Sequence, residues 1–166
     1  MQYHKLKSGQ EPGTYIMENT LVTEEDILTI AKQLSRKRLS RGRAITNATD
    51  VKEHLRNLMH EYESEVFAIL LLDTKHRILA FKELFYGTID GASVYPREIV
   101  KLALQHNAAA AILVHNHPSG DSTPSQADKL LTKRLKEALG LVDVRVLDHI
   151  VVGTEGATSM VEYGWM

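Results

Sequence analysis

The chain reads as an α/β or α+β sheet domain over residues 45–166, with an arm, a helix and a basic linker over residues 1–44. Two continuous apolar runs, Val66–Leu72 and Ala108–Val114, have the character of strands covered on both faces. Stretches with apolar residues at helical spacing alternate with them, and Gly, Pro, Asn and Asp punctuate the junctions. Strands alternating with helices argue for a sheet with helices packed on it. At 166 residues, 43% hydrophobic and 25% charged, the chain is long enough for one domain with a sizeable core.

The elements follow in order. Residues 1–20 are polar, carry Gly9, Pro12 and Gly13, and read as a tail or arm. Thr23-Glu24-Glu25-Asp26 opens a helix with acids in its first turn, and Ile27, Leu28, Ile30, Ala31 and Leu34 give it an apolar stripe. That helix decays into residues 36–43, five basic residues in eight. Asn47 or Thr49 caps a second helix running to about Tyr62, with Val51, Leu55, Leu58 and Met59 on its buried side. The strand Val66–Leu72 follows, then a turn at 73–76 and a hairpin partner over Arg77–Phe85. Gly87-Thr88 suggests a bend leading to a further short strand. Ser93 caps the next helix, with Pro96 in its first turn and Asn107 closing it. Ala108–Val114 runs directly into His115. Thr123-Pro124-Ser125-Gln126 looks like a helix start with Thr123 as cap, and the helix ends at Gly140. Val142–Val152 and Thr158–Val161 supply the last strands.

Composition excludes several functions. Net charge is -1 and pI about 6.7, so no global field drives the chain onto nucleic acid or an anionic membrane. There is no cysteine, which removes thiolate metal sites, a cysteine nucleophile and disulfides. The N-terminus has no apolar signal-peptide core, and no apolar run is long enough to span a bilayer. A cytoplasmic protein without a membrane partner is expected.

The chemistry concentrates in about fourteen residues. His115 and His117 alternate along an extended backbone and project to the same side. Ser125 and Asp128 are three apart, so a helix puts them on one face. Two imidazoles and a carboxylate are the ligand set of a catalytic zinc site that keeps one position for water. A base from elsewhere in the chain must then take that water's proton. Ser125 is not needed as a ligand; its hydroxyl can donate to the oxyanion that forms when a carbonyl is attacked, a task worth roughly 3 kcal/mol per donor. A cytidine deaminase needs a Cys pair, a zincin needs His-Glu-x-x-His, and neither pattern occurs.

The string His115-x-His117-Pro118-x6-Ser125-x2-Asp128 resembles the JAMM motif of MPN/JAB-domain metalloproteases. The resemblance is closer still to the RadC branch, through Glu83–Thr88, Pro96–Ile99, Asn107–Ala110 and Val144–His149. It implies a curved mixed β-sheet flanked by helices, related to the cytidine deaminases. It implies one Zn²⁺ per chain on His115, His117 and Asp128, with Ser125 at the oxyanion, and a protein or peptide substrate. It also implies a glutamate base at the start of an early strand. Glu61, Glu63 and Glu65 are the choices; Glu65, at the entrance of the Val66–Leu72 strand, is preferred and Glu63 is the reserve.

Two departures stand out. Deubiquitinating members usually carry Ser or Thr between the histidines, where this chain has Asn116. Longer RadC proteins carry an N-terminal helix-hairpin-helix-like region for which residues 1–44 are too short, so DNA binding inferred from it does not transfer. The alternative reading is a DNA-associated repair or mobile-element accessory protein that uses the basic run 36–43 on phosphates; a solvated linker is the blander meaning of that run. His149, after Asp148 on an expected strand, reads first as a hydrogen-bonded core histidine and second as a group behind the site. Oligomeric state is left open.

Overall fold

The computed structural model describes residues 4–17, 21–45, 48–87 and 93–166, with the backbone alone at Asp50. The sheet that carries the site has five strands in the order β4-β3-β5-β6-β7: β3 (Val66–Leu72), β4 (Ile78–Tyr86), β5 (Ala110–Asn116), β6 (Arg145–Val152) and β7 (Ala157–Ser159). Only β5 and β6 pair in parallel, so the sheet is mixed. The helices are α1 (Glu24–Arg38), α2 (Ala48–Met59), α3 (Pro96–Gln105) and α4 (Gln126–Gly140), and β1 (Leu6–Ser8) pairs with β2 (Tyr15–Met17) as a separate hairpin.

Strand alternation splits the core in two. Ala68, Leu70 and Leu72 of β3 face one side, where Val51, Leu55, Leu58 and Met59 of α2 cover them. Phe67, Ile69 and Leu71 face the other, against Ile99 and Ala103 of α3 and Leu135 and Leu139 of α4. A strand buried along its whole length needs apolar residues at every position, which is why β3 reads as an unbroken run. Each of these leucines contributes roughly 1.5–3 kcal/mol by leaving water. The helix α4 is the crossover between the parallel strands β5 and β6, so its N-terminus sits beyond the C-terminal end of β5, where ligand sites of such sheets open.

Several local expectations are corrected. The arm is not a tail: Gly9 N–H donates to Thr14 O at 2.8 Å, closing the β1–β2 hairpin, and Leu6 packs with Tyr15 on Ile30 and Leu34 of α1. In α1, Ile27 and Leu28 are exposed, because the hairpin and α2 cover only one narrow side. The first three basic residues of the run 36–43 form the last turn of α1. The rest runs beside β4, where Gly42 N–H bonds Ile78 O and Ile78 N–H bonds Arg43 O, each at 2.7 Å. Thr49 lies inside α2 rather than at its cap; Asn47 and the short strand after Gly87 lie outside the described residues. Tyr95, not Ser93, is the N-cap of α3, because Pro96 at the first helical position sets the start. Ser125, not Thr123, caps α4. The strand β5 runs two residues beyond Val114 and includes His115 and Asn116, and β7 ends at Ser159. Among the described residues no helix is long and apolar enough to cross a membrane.

Candidate metal centre

The candidate ligand histidines leave β5 on one face. His115 is the penultimate strand residue and 1% exposed, while His117 follows the strand and is half-buried. His117 stays in line because its N–H donates to Val152 O of β6 at 2.8 Å. The loop then turns back: Gly120 N–H reaches His117 O at 3.0 Å, with Gly120 at φ 94°, and Thr154 N–H reaches Gly120 O at 3.0 Å. Asp128 comes from the first turn of α4. Its carboxylate Oδ2 accepts the Ser125 N–H and hydroxyl, each at 2.6 Å, and the Ser125 Oγ accepts the Asp128 N–H at 3.1 Å. This reciprocal capping box satisfies two otherwise orphaned amides and locks the carboxylate's direction.

Three electron-pair donors converge. His115 Nε2 and His117 Nε2 lie 2.9 Å apart. Asp128 Oδ1 is 3.2 Å from the first and Oδ2 is 3.3 Å from the second. The outer nitrogen of each ring is already used: His117 Nδ1 donates to the Asp121 carbonyl at 2.8 Å, and His115 Nδ1 meets His149 Nε2 at 2.8 Å. A carbonyl can only accept, so His117 Nδ1 carries the proton and its Nε2 presents a lone pair inward. Among the described residues, His115, His117 and Asp128 form a group whose ligand atoms all lie within 4.8 Å of one another. Imidazole nitrogens and a carboxylate, with no sulfur, suit a borderline divalent cation such as zinc.

Burial pushes the Asp128 carboxyl up, but the hydrogen bonds that His115 and His117 make when protonated, the charge His115 then carries and the Ser125 hydroxyl together hold it well below the usual carboxylate range. A protonated His117 donates from Nε2 to Asp128, and that hydrogen bond raises His117 above an ordinary histidine against the opposing effect of burial, with Asp121 and the charges of Asp128 and Glu65 adding to it. His149 is lowered far below the usual histidine range, first by burial and then by the repulsion that a protonated His115 exerts on it.

Of the three glutamates weighed as base, Glu65 alone is half-buried beside this cluster. The antiparallel register Phe67–His115 carries Glu65, two residues before Phe67, alongside His117, two residues after His115. The Glu65 charge acts on His117 accordingly. Glu61 is paired with Lys32 and lies 3.7 Å from His60, and Glu63 is exposed.

Residues 45–165 match the family model of the RadC-like JAB domain. The chain belongs to this family. Its mixed five-stranded sheet and flanking helices agree with the JAB fold. Two Vibrio cholerae serotype O1 proteins, each named UPF0758 protein, are 58% and 52% identical over 143 residues, which is 86% of this chain and 90% of each relative. A UPF0758 protein of Stutzerimonas stutzeri is 54% identical over 140 residues, 84% of this chain. There the chain spans only 62% of the relative's length.

Within this RadC-like JAB domain, two groups escaped the sequence reading. Thr132 Oγ1 lies 2.6 Å from both the Asp128 carbonyl and His149 Nδ1. Its helical spacing of four from Asp128 was the available signal. Asn116 was visible only as a departure, and its role comes from strand pairing. Its Oδ1 accepts the Val66 N–H at 2.7 Å, and its Nδ2 donates to Ser64 O at 3.1 Å and Tyr62 O at 3.4 Å. It thereby grips the segment that contains Glu65.

Proposed function

We propose that this chain is a zinc-dependent hydrolase of the JAMM type that cleaves an amide bond, peptide or isopeptide, in a protein or peptide substrate. The observation that carries the reading is the convergence of His115 Nε2, His117 Nε2 and the Asp128 carboxylate, with their outer atoms tied down. A bound Zn²⁺ would supply Lewis acidity that brings a water molecule's pKa down towards about 7. Glu65 takes the water's proton and delivers it to the leaving amine. Ser125 supplies the oxyanion donor. Its hydroxyl proton points at Asp128 Oδ2, so this service requires rotation about the Cβ–Oγ bond. The catalytic unit in this reading begins near residue 45, and its setting is the cytoplasm, in keeping with a chain that has no cysteine.

The test compares wild type with Glu65→Gln for zinc content and for products in an unbiased search for cleaved proteins. Glu65→Gln should keep its zinc and lose turnover by about 10²–10⁴-fold. Full turnover in that variant would remove Glu65 from the role of base. Zinc binding with no cleaved substrate for the wild type would count against the hydrolase reading.

A further inference from the structure

We propose that His149 and Thr132 are positioning residues that hold His115 in the one tautomer able to bind a metal. The inference rests on the metal-centre reading above. A hydrogen-bond chain with a fixed direction crosses three elements, β5, β6 and α4.

The chain ends on an atom with no choice. The main-chain carbonyl of Asp128 can only accept, so the Thr132 hydroxyl donates to it at 2.6 Å. Met160 Sδ, at 3.5 Å, is a weak acceptor and does not compete. With its proton spent, Thr132 Oγ1 faces His149 Nδ1 at 2.6 Å as an acceptor, so Nδ1 carries the ring proton of His149. His149 is 0% exposed and, among the described residues, its two ring nitrogens meet only a hydroxyl and another imidazole, with no carboxylate to pair a buried charge, so the ring holds one proton and its Nε2 is a bare lone pair. That lone pair meets His115 Nδ1 at 2.8 Å, so His115 is protonated there. His115 Nε2 is left bare, aimed at His117 Nε2 and the Asp128 carboxylate.

The route closes on itself. Asp128 contributes its carboxylate to the cluster and its carbonyl to the end of the chain, so one residue of α4 sets both. Rotation of the rings is blocked by Phe67, which stacks with His115 at 6.4 Å between centroids and meets His149 edge-on at 5.7 Å. His117 reaches the same state by a shorter path through the Asp121 carbonyl. Without Thr132, His115 is free to carry its proton on Nε2 and present N–H to the cation. Groups behind a metal ligand that fix its tautomer typically change affinity by about 10–100-fold.

The test uses the full chain, ¹⁵N-labelled and zinc-free, with long-range ¹H–¹⁵N correlation to read the tautomers of His115 and His149. Thr132→Val, which keeps the shape and removes the hydroxyl, is compared with Thr132→Ser, which restores it. Zinc affinity is then measured by competition with a chromophoric chelator. Wild type and Thr132→Ser should show both rings protonated at Nδ1. Thr132→Val should show a mixture at His115 and bind zinc about 10–100-fold more weakly. The wild-type tautomer needs no variant: a wild-type His115 protonated at Nε2 overturns the proposal. So does a Thr132→Val protein with unaltered tautomers and zinc affinity. Wild-type tautomers as stated, together with no zinc binding, would overturn the metal-centre reading and leave the hydrogen-bond chain standing.

Discussion

Asn116 Oδ1 accepts the Val66 amide at 2.7 Å, joining the strand that carries the histidines to the strand that begins beside Glu65. Asn116 is 1% exposed, and alternation along β5 turns it away from the face of His115 and His117. The same residue stretch therefore presents the two candidate ligand histidines on one side and braces the segment of Glu65, the proposed base, on the other. Asn116→Ala leaves the Val66 N–H buried without its acceptor, at about 2 kcal/mol, or about 4–8 °C in Tm for a chain of this length. Thermal denaturation checks the loss. Zinc affinity should be retained, because no ligand is touched.

Gly153 is a spacer for the loop 117–122. A Cβ built there would lie 2.1 Å from Gly120 O and 2.9 Å from Ser122 N, both backbone atoms that cannot step aside alone. Gly153→Ala should push the 117–122 loop off β6 and displace His117, lowering zinc affinity by about tenfold or more. A chelator-competition titration reads it directly, and unchanged affinity would show that the loop does not set His117.

Ser125 caps α4, and the proposed reaction gives it a second, separable duty at the oxyanion. As the N-cap of α4 it should cost about 1 kcal/mol of stability when replaced by Ala, seen as a lower denaturation midpoint with or without a chelator. As oxyanion donor it should cost roughly 10²–10³-fold in kcat. Ser125→Thr retains an acceptor for the Asp128 N–H and should recover the stability.

Asp26 links the N-terminal hairpin to α1. Lys5 Nζ and His4 Nε2 each reach its carboxylate at 2.6 Å, and the Thr23 N–H reaches it at 2.9 Å. The Lys5 hydrogen bond, then those of Thr23 and His4, hold its carboxyl far below the usual carboxylate range. A carboxyl lowered by folding contributes its full stabilisation above its unfolded pKa of about 3.9, and that contribution is lost as pH falls towards the folded value. Amide shifts of Leu6 and Ile16 should therefore stay native at about pH 5 and move towards random-coil values as the pH drops below about 3.9. Asp26→Asn should show the loosened hairpin already at neutral pH.

How much of this was legible in the sequence depended on range. The histidines and Asp128 stand within one strand–loop–helix unit, so alternation and helical spacing alone bring them together. Leu55, Leu58 and Met59 declared their buried face by helical period in the same way. The cap of α4 was misread by two residues, since Thr123-Pro124 and Ser125-Gln126 both satisfy local capping preferences and only the tertiary setting of Asp128 chooses between them. His149 was legible as a hydrogen-bonded core histidine or a group behind the site, and Asn116 as a departure, but the partners of neither were. Their partners lie 34 and 50 residues away, across strand pairings that periodicity does not specify. The β1–β2 hairpin was missed because three-residue strands are too short to show a period.

The most direct test of the central claim is the metal content of the purified protein, measured by mass spectrometry for wild type and His117→Ala. The account predicts about one zinc per wild-type chain, held by two imidazoles and one carboxylate, and its loss in His117→Ala with the fold intact by circular dichroism. A folded wild-type protein that takes up no zinc when zinc is supplied, or a His117→Ala protein that binds it equally well, would contradict it.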